Sequence, residues 1–137
     1  MSNVPFNPSL VEIDVVTAYL PSHSNPDEEQ YTFAYTVTIS NASQQPVQLM
    51  SRRWVITDAY NDVQEVRGEG VVGEQPVIQP RESFQYTSGA TLTTPVGCME
   101  GSYHMVVREP ADIDPQELPT FEVPIPAFSL HTPTALN

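Results

Sequence analysis

An all-β chain, folded as an antiparallel sandwich of immunoglobulin or fibronectin type III shape, is predicted by three features of the sequence. Hydrophobic residues recur with a period of two almost throughout, which is the period of a strand. Fourteen prolines are scattered along the 137 residues and leave no stretch suited to a long helix. Turn residues divide the chain into seven or eight short apolar runs. A closed barrel is the architectural alternative.

The first run alternates Val11, Ile13, Val15, Thr17 and Tyr19 with Glu12 and Asp14. In the second, Tyr31, Phe33, Tyr35, Val37 and Ile39 alternate with Thr32, Ala34, Thr36 and Thr38. One buried and one wetted face means an antiparallel sheet, not a βαβ array. The polar segment from Pro21 to Gln30 reads as the loop between them. Val47 to Tyr60 is a long strand holding Leu49, Trp54, Val55 and Ile56, and Asn61-Asp62 turns it into a hairpin with Val63 to Arg67. Val71 and Val72 fall in a bend or short strand, and Val77-Ile78 is strand-like. Ser83 to Leu92 alternates Phe84, Tyr86, Ser88, Ala90 and Leu92; Ser102 to Glu109 alternates Tyr103, Met105 and Val107. Pro110 to Pro119 is the least regular segment, with room for one helical turn over Ala111 to Leu118. Phe121 to Leu130 closes the chain. Its Pro124 and Pro126 lie two apart, so both missing N–H groups face one side, the mark of an edge strand unpaired there. No repeat interrupts the pattern, and a single domain over residues 1–137 is expected, with its core from about residue 10 to 130 and flexible ends.

Charge narrows the function classes. Five arginines, no lysine and seventeen acidic residues give −12 at pH 7, and such a chain repels a phosphate backbone, which argues against nucleic-acid binding. No apolar run approaches the roughly 18 residues of a membrane-spanning helix. Met1 to Pro8 lacks the basic and apolar regions of a secretory signal, and the single cysteine, Cys98, makes no internal disulfide. A cytoplasmic protein is expected.

The string Gly68-Glu69-Gly70-Val71-Val72-Gly73 is a literal G-x-G-x-x-G. A dinucleotide site needs a parallel strand before it and a helix after it. Here Gln75-Pro76 and the strand-like Val77-Ile78 follow, so no helix N-terminus is available to hold a pyrophosphate. The glycines then serve a tight loop or bulge by adopting positive φ. An intermediate reading keeps them functional: a glycine-rich turn presents successive N–H groups as an anion nest. Arg52, Arg53 and Arg67 stand near it in sequence. Arg52, Arg53, Arg67, Gly68, Gly70 and Gly73 are therefore the candidate ligand-binding residues, for phosphate or a partner's carboxylate. Neighbours on a strand point to opposite faces, so Arg52 and Arg53 share a patch only if a bulge intervenes. The arginines also have ordinary structural partners in Glu65, Glu69 and Glu74.

His23, His104 and His131 have no metal-ligand spacing, and His104 is expected to face solvent. Asp27-Glu28-Glu29 and Asp112-x-Asp114 offer oxygen ligands for Mg²⁺ or Ca²⁺ without following an EF-hand pattern. Ser88 lies on a strand, without the strand-turn-helix of a nucleophile elbow. No metal site, cofactor or catalytic constellation is predicted, and a non-enzyme is expected.

Several strings, taken in order, resemble one family. They are Arg52-Arg53-Trp54-Val55-Ile56-Thr57; Val66 through Pro76; Phe84-Gln85-Tyr86-Thr87-Ser88-Gly89; and Thr94-Pro95-x-Gly97-x-Met99-x-Gly101-x-Tyr103-x-Met105. The resemblance is to the bacterial ApaG family and runs from Val11 to about Leu130. Two departures stand out: Arg81 follows Pro80 where the family turn reads Pro-Gly-Glu, and the segment from Pro110 to Pro119 is longer than the usual loop. A type I turn accommodates Arg81 and a type II turn does so poorly. The resemblance implies a fibronectin type III-like sandwich. It also implies a protein-recognition role, because the same domain is carried by an F-box subunit of ubiquitin ligases and by a polymerase delta-interacting protein. Bacterial members are linked genetically to cobalt resistance and magnesium efflux, and lie near genes for diadenosine tetraphosphate hydrolysis and ribosomal RNA methylation.

Two functions follow as expectations. The first is a non-enzymatic module that binds another protein through sheet edges and loops, as a monomer or homodimer. The second is a sensor of a small anion (pyrophosphate or a nucleotide) or a divalent cation, held near residues 68–73. Hydrolysis of dinucleotides is a remote third.

Overall fold

The apolar runs become eight antiparallel strands: β1 (Val11–Tyr19), β2 (Tyr31–Asn41), β3 (Val47–Asp58), β4 (Val63–Glu69), β5 (Val77–Ile78), β6 (Ser83–Leu92), β7 (Val96–Val107) and β8 (Thr120–His131). This computed structural model describes residues 6–108, 114 and 118–134. One sheet has the order β1-β2-β6; the other has β4-β3-β7-β8, with β5 continuing the lane of β4 along β3. The sheets face each other as the predicted sandwich, with β1 packed against β8 at one side.

Aromatic and β-branched side chains from both inner faces fill the space between the sheets. Trp54 presents its edge or face to Tyr35, Tyr103 and Phe128 at ring-centroid distances of 5.3, 6.4 and 5.8 Å. These off-stacked geometries suit the ring quadrupoles. Val37, Ile39, Val47, Leu49, Tyr103, Met105 and Leu130 are wholly buried around them. Asn41 is buried without an unmet polar group: its amide donates to the Gln45 and Ile78 carbonyls and its oxygen accepts from Ser43. On the outer face of the β1-β2-β6 sheet, Thr32 bonds Thr91, Thr36 bonds Thr87 and Ser40 bonds Ser83, which ties β2 to β6 beyond their backbone ladder.

The structure moves several expected boundaries. β7 begins at Val96, six residues before Ser102, because Gly97 and Gly101 sit inside the strand. A Cβ on Gly97 would lie 2.6 Å from Leu92, and one on Gly101 would run into the Arg53 carbonyl. Glycines that permit close backbone approach carry no side chain to show the alternation of a strand. The β3–β4 turn is centred on Ala59-Tyr60 and not on Asn61-Asp62. Asp58 accepts from the Tyr60 and Asp62 amides, and Asn61 takes φ 65°, a turn followed by a left-handed residue. The loop from Pro21 to Gln30 holds two 3-10 turns, Pro21–His23 and Pro26–Glu28. β8 is an edge strand as its prolines predicted, paired only with β7. The helical turn expected over residues 111–118 lies mostly outside the described residues.

Arg81 sits in the less favourable of the two turns. Glu82 N–H donates to the Gln79 carbonyl at 3.0 Å, with Pro80 first and Arg81 at φ 65° second, which is a type II turn. An L side chain there costs about 1–2 kcal/mol relative to glycine. Arg81→Gly is therefore expected to stabilise the fold by about 1 kcal/mol, read as a raised denaturation midpoint with unchanged slope.

Candidate functional site

β3 changes phase at one residue. Leu49 pairs with Met105 and Ser51 with His104, so Met50 is an extra residue, a β-bulge. Before it the odd-numbered Val47 and Leu49 face the core. After it the even-numbered Arg52 and Trp54 do, across from the inward Tyr103 and from Gly101. The bulge carbonyl accepts from the Gly70 N–H at 2.8 Å and from Gln75 Nε2 at 2.9 Å, anchoring the glycine-rich string to β3.

The expected site residues therefore separate. Arg52 lies on the inner face, and its Nη1 donates to the carbonyls of Glu69 and Gly70 at 3.1 and 2.9 Å. Gly68, its cross-strand partner, leaves the space: a Cβ there would lie 2.7 Å from the guanidinium. Arg53 and Arg67 face each other on the outer surface and share Glu65, which accepts from Arg53 Nη2 at 2.9 Å and from Arg67 Nε at 2.5 Å. The Arg67 hydrogen bond first, then that of Arg53, holds the exposed Glu65 carboxyl below its usual range. With Ser51, Ser102, His104 and Glu122, this pair lines a shallow groove on the outer face, to whose wall Arg52, Gly68 and Glu69 also contribute.

The string itself is a strand end and a tight turn. Gly68 belongs to β4. Gly70 takes φ 62°, and a Cβ there would strike the Glu74 carbonyl. Val71 and Glu74 exchange two backbone hydrogen bonds around Val72 (φ 44°) and Gly73 (φ 81°), the pattern of a type I′ turn. The N–H groups of Gly70, Val71 and Glu74 thus serve backbone carbonyls, and those of Val72 and Gly73 are the ones a ligand would meet. A valine with φ > 0 is unusual for a β-branched residue, and Val72 is also 55% exposed.

Beside this turn the sandwich has an unfilled position. The larger sheet has four lanes and the smaller has three; with β1 over β8, no strand among the described residues covers β4 beside β6. Two depressions of about 290 and 280 Å³ occupy that position and share Tyr35, Arg52 and Ser88 in their walls. Trp54, Ile56, Gln64, Val66 and Ala90 line the first, and Val72, Gly73 and Tyr86 the second. The Ser88-Gly89-Ala90 stretch of β6 is small, which leaves the first depression open above a Trp54 that is itself buried. Among the described residues, the Trp54 indole nitrogen is buried without a hydrogen-bond partner, and no carboxylate pairs with Arg52. The hydroxyls of Tyr86 and Tyr103 hydrogen-bond across the sheets behind Arg52. Burial pushes Tyr86 up to about 12 and Tyr103 further.

Sequence reasoning finds Arg52 and the glycines and places Trp54 in the core, where it lies, but gives Tyr86, Ser88 and Ala90 no binding role. The available signal was the small, uncharged centre of β6. Among the described residues, no group of three or more His, Cys, Asp and Glu side chains is placed to hold a metal, and no helix is long and apolar enough to cross a membrane.

These features define a class: an eight-stranded antiparallel sandwich whose glycine turn is pinned to a bulged strand beside an open lane. The model of the ApaG domain family matches residues 21–107. The chain belongs to that family. It is 49% identical over 127 residues to protein ApaG of Dechloromonas aromatica, covering 93% of this chain and 94% of that one. It is 52% identical over 127 residues to protein ApaG of Shewanella pealeana, with the same coverage. A crystal structure of a Bordetella pertussis protein named ApaA superposes with a TM-score of 0.81 at 46% identity, over 91% of this chain and 95% of that one.

Two predictions follow from this geometry. Gly68→Ala is expected to displace the flexible Arg52 guanidinium for under about 1 kcal/mol, while Gly70→Ala costs more than about 2 kcal/mol because its Cβ meets backbone at positive φ. Denaturation midpoints and the Arg52 Nε–H resonance check both. In native protein Tyr86 and Tyr103 stay protonated where a free tyrosine side chain ionises, near 10.0. Their folded values are raised, so the stability they contribute is complete below pH 10 and falls as pH rises toward and through 12. Ultraviolet titration of native and unfolded protein should show Tyr86 and Tyr103 delayed in the native state alone.

Proposed function

We propose that this domain is a non-catalytic module that recognises another protein. The observation that carries the reading is the open lane between β4 and β6, where a half-buried arginine without a carboxylate partner lies among Tyr35, Trp54 and Tyr86. Arginine is among the side chains that dominate protein–protein binding energy, and the three rings around it, all buried, form its floor. The rigid sandwich holds them without reorganisation. In this reading the domain works in the cytoplasm, binds no nucleic acid or membrane, and exists as a monomer or homodimer. Any part in cobalt resistance or magnesium efflux runs through its protein partner.

A second reading has its own support: the free N–H groups of Val72 and Gly73 and the nearby Arg52 suit a small anion, such as pyrophosphate or a nucleotide, alone or with a divalent cation. Arg53 and Arg67 support it less, since Glu65 engages both.

The two readings are separated by affinity capture from cell extract alongside an NMR titration with pyrophosphate, ATP, Mg²⁺ and Co²⁺. Protein recognition predicts a reproducible stoichiometric partner and no saturable shifts at Val72 and Gly73. Saturable shifts confined to residues 68–73 and Arg52, with no captured partner, would replace it with the sensor.

A further inference from the structure

Four strands end the two sheets, and three are blunted against further pairing. β1 carries Glu12 and Asp14, β4 carries Glu65, Arg67 and Glu69, and β8 carries Pro124 and Pro126. β6 is different. Its ten residues, Ser83-Phe84-Gln85-Tyr86-Thr87-Ser88-Gly89-Ala90-Thr91-Leu92, contain neither a charge nor a proline. Among the described residues only β2 pairs with it, so its other edge presents a row of backbone groups that no described strand pairs.

The space next to that edge is the lane left vacant above β4. A strand added there would extend the three-stranded sheet to four and match the sheet below. Its inward side chains would stand beside Tyr86, Ser88 and Ala90, and over Arg52, Trp54, Gln64 and Val66. The donors in this floor exceed the acceptors offered to them. Arg52 uses Nη1 on two carbonyls and meets no carboxylate, and the Trp54 N–H is unpartnered. Glu69 is the carboxylate that lines the lane, and it bonds Arg52 through its main chain only. At the lane's end stands Val72, apolar, exposed and held at positive φ, where asparagine or glycine would be relaxed.

We propose that β6 and the vacant lane form a strand-docking site: an extended segment of a partner protein pairs with β6 and directs an Asp or Glu side chain onto Arg52. The main-chain hydrogen bonds supply affinity and the inward pocket supplies selectivity, as in other strand-addition complexes. The proposal rests on the protein-recognition reading and specifies its mode and the partner's chemistry. A net charge of −12 would oppose acidic partners elsewhere on the surface, which makes the choice of Arg52 as the receiving group selective.

The test uses the full chain, isotope-labelled, and two synthetic peptides. Each alternates Val and Thr, with a central Glu in one and Gln in the other. The proposal predicts saturable shifts and slowed amide exchange along β6, a shift of the Trp54 indole N–H, and roughly tenfold tighter binding of the Glu peptide. Arg52→Gln should make the two peptides bind alike. Ala90→Leu, which fills the lane without touching Arg52's carbonyl contacts, should weaken both while preserving the fold. Equal binding of the two peptides to the unaltered chain, shifts on the Arg53–Arg67 face, or no saturable shift up to about millimolar peptide would overturn it. So would concentration-dependent β6 shifts without peptide, which would give the lane to a second copy. A partner captured equally by the unaltered chain and both variants would end this inference yet leave protein recognition standing; failure of the unaltered chain to capture any partner would end recognition itself.

Discussion

The extra residue at Met50 is the constraint on which the rest of the site depends. A strand without it would carry Val47, Leu49, Ser51 and Arg53 on one face, and would put an arginine where Trp54 now meets Tyr35, Tyr103 and Phe128. The bulge exchanges those faces partway along β3. It sends Trp54 into the core, Arg52 to the mouth of the core and Arg53 to the outer surface. Its carbonyl also receives Gly70 and Gln75, so the feature that rephases the strand also fixes the glycine turn. A charged side chain half inside a sandwich is costly unless hydrogen-bonded; the carbonyls of Glu69 and Gly70 meet part of that need, and Gly68 makes room for it.

The site is then an arrangement of mismatches that the fold tolerates. Four lanes face three, an indole N–H has no partner, β6 has no charge to guard its edge, and Val72 adopts a conformation that its branched side chain resists. Each breaks a rule that the remainder of the molecule obeys, and all meet in one place. Departures from local consistency gather at functional surfaces because binding recovers what the free protein gives up. The outer groove, though larger, has Arg53 and Arg67 engaged by Glu65 and so offers a partner less.

Much of the architecture was legible in the residues. The period-two runs at Val11–Tyr19, Tyr31–Ile39 and Ser83–Leu92 marked their strands because nothing interrupts the pleat there. Pro124 and Pro126 marked β8 as an edge by chemistry alone. β7 was clipped because Gly97 and Gly101 carry no side chain to show alternation, though backbone approach demands them. The type II turn at Arg81 was hidden by a residue suited to type I. At the site, the sequence named Arg52 and the glycine string but grouped them with Arg53 and Arg67. Strand alternation already sets Arg52 and Arg53 on opposite faces; only the register of β3 against β7 shows which of them turns inward, and a bulge leaves no periodic trace when polar and apolar residues mix as they do in Met50-Ser51-Arg52-Arg53-Trp54.

The most direct test of this account is the set of nuclear Overhauser contacts made by the two adjacent arginines in solution. The bulge predicts contacts from the Arg52 side chain to the Tyr86 and Tyr103 rings and to the Gly70 region, with Arg53 contacting only Glu65 and its outer-face neighbours. Contacts from Arg53 to Tyr103, with Arg52 free on the outer surface, would contradict the phase change at Met50 and with it the open lane's arginine.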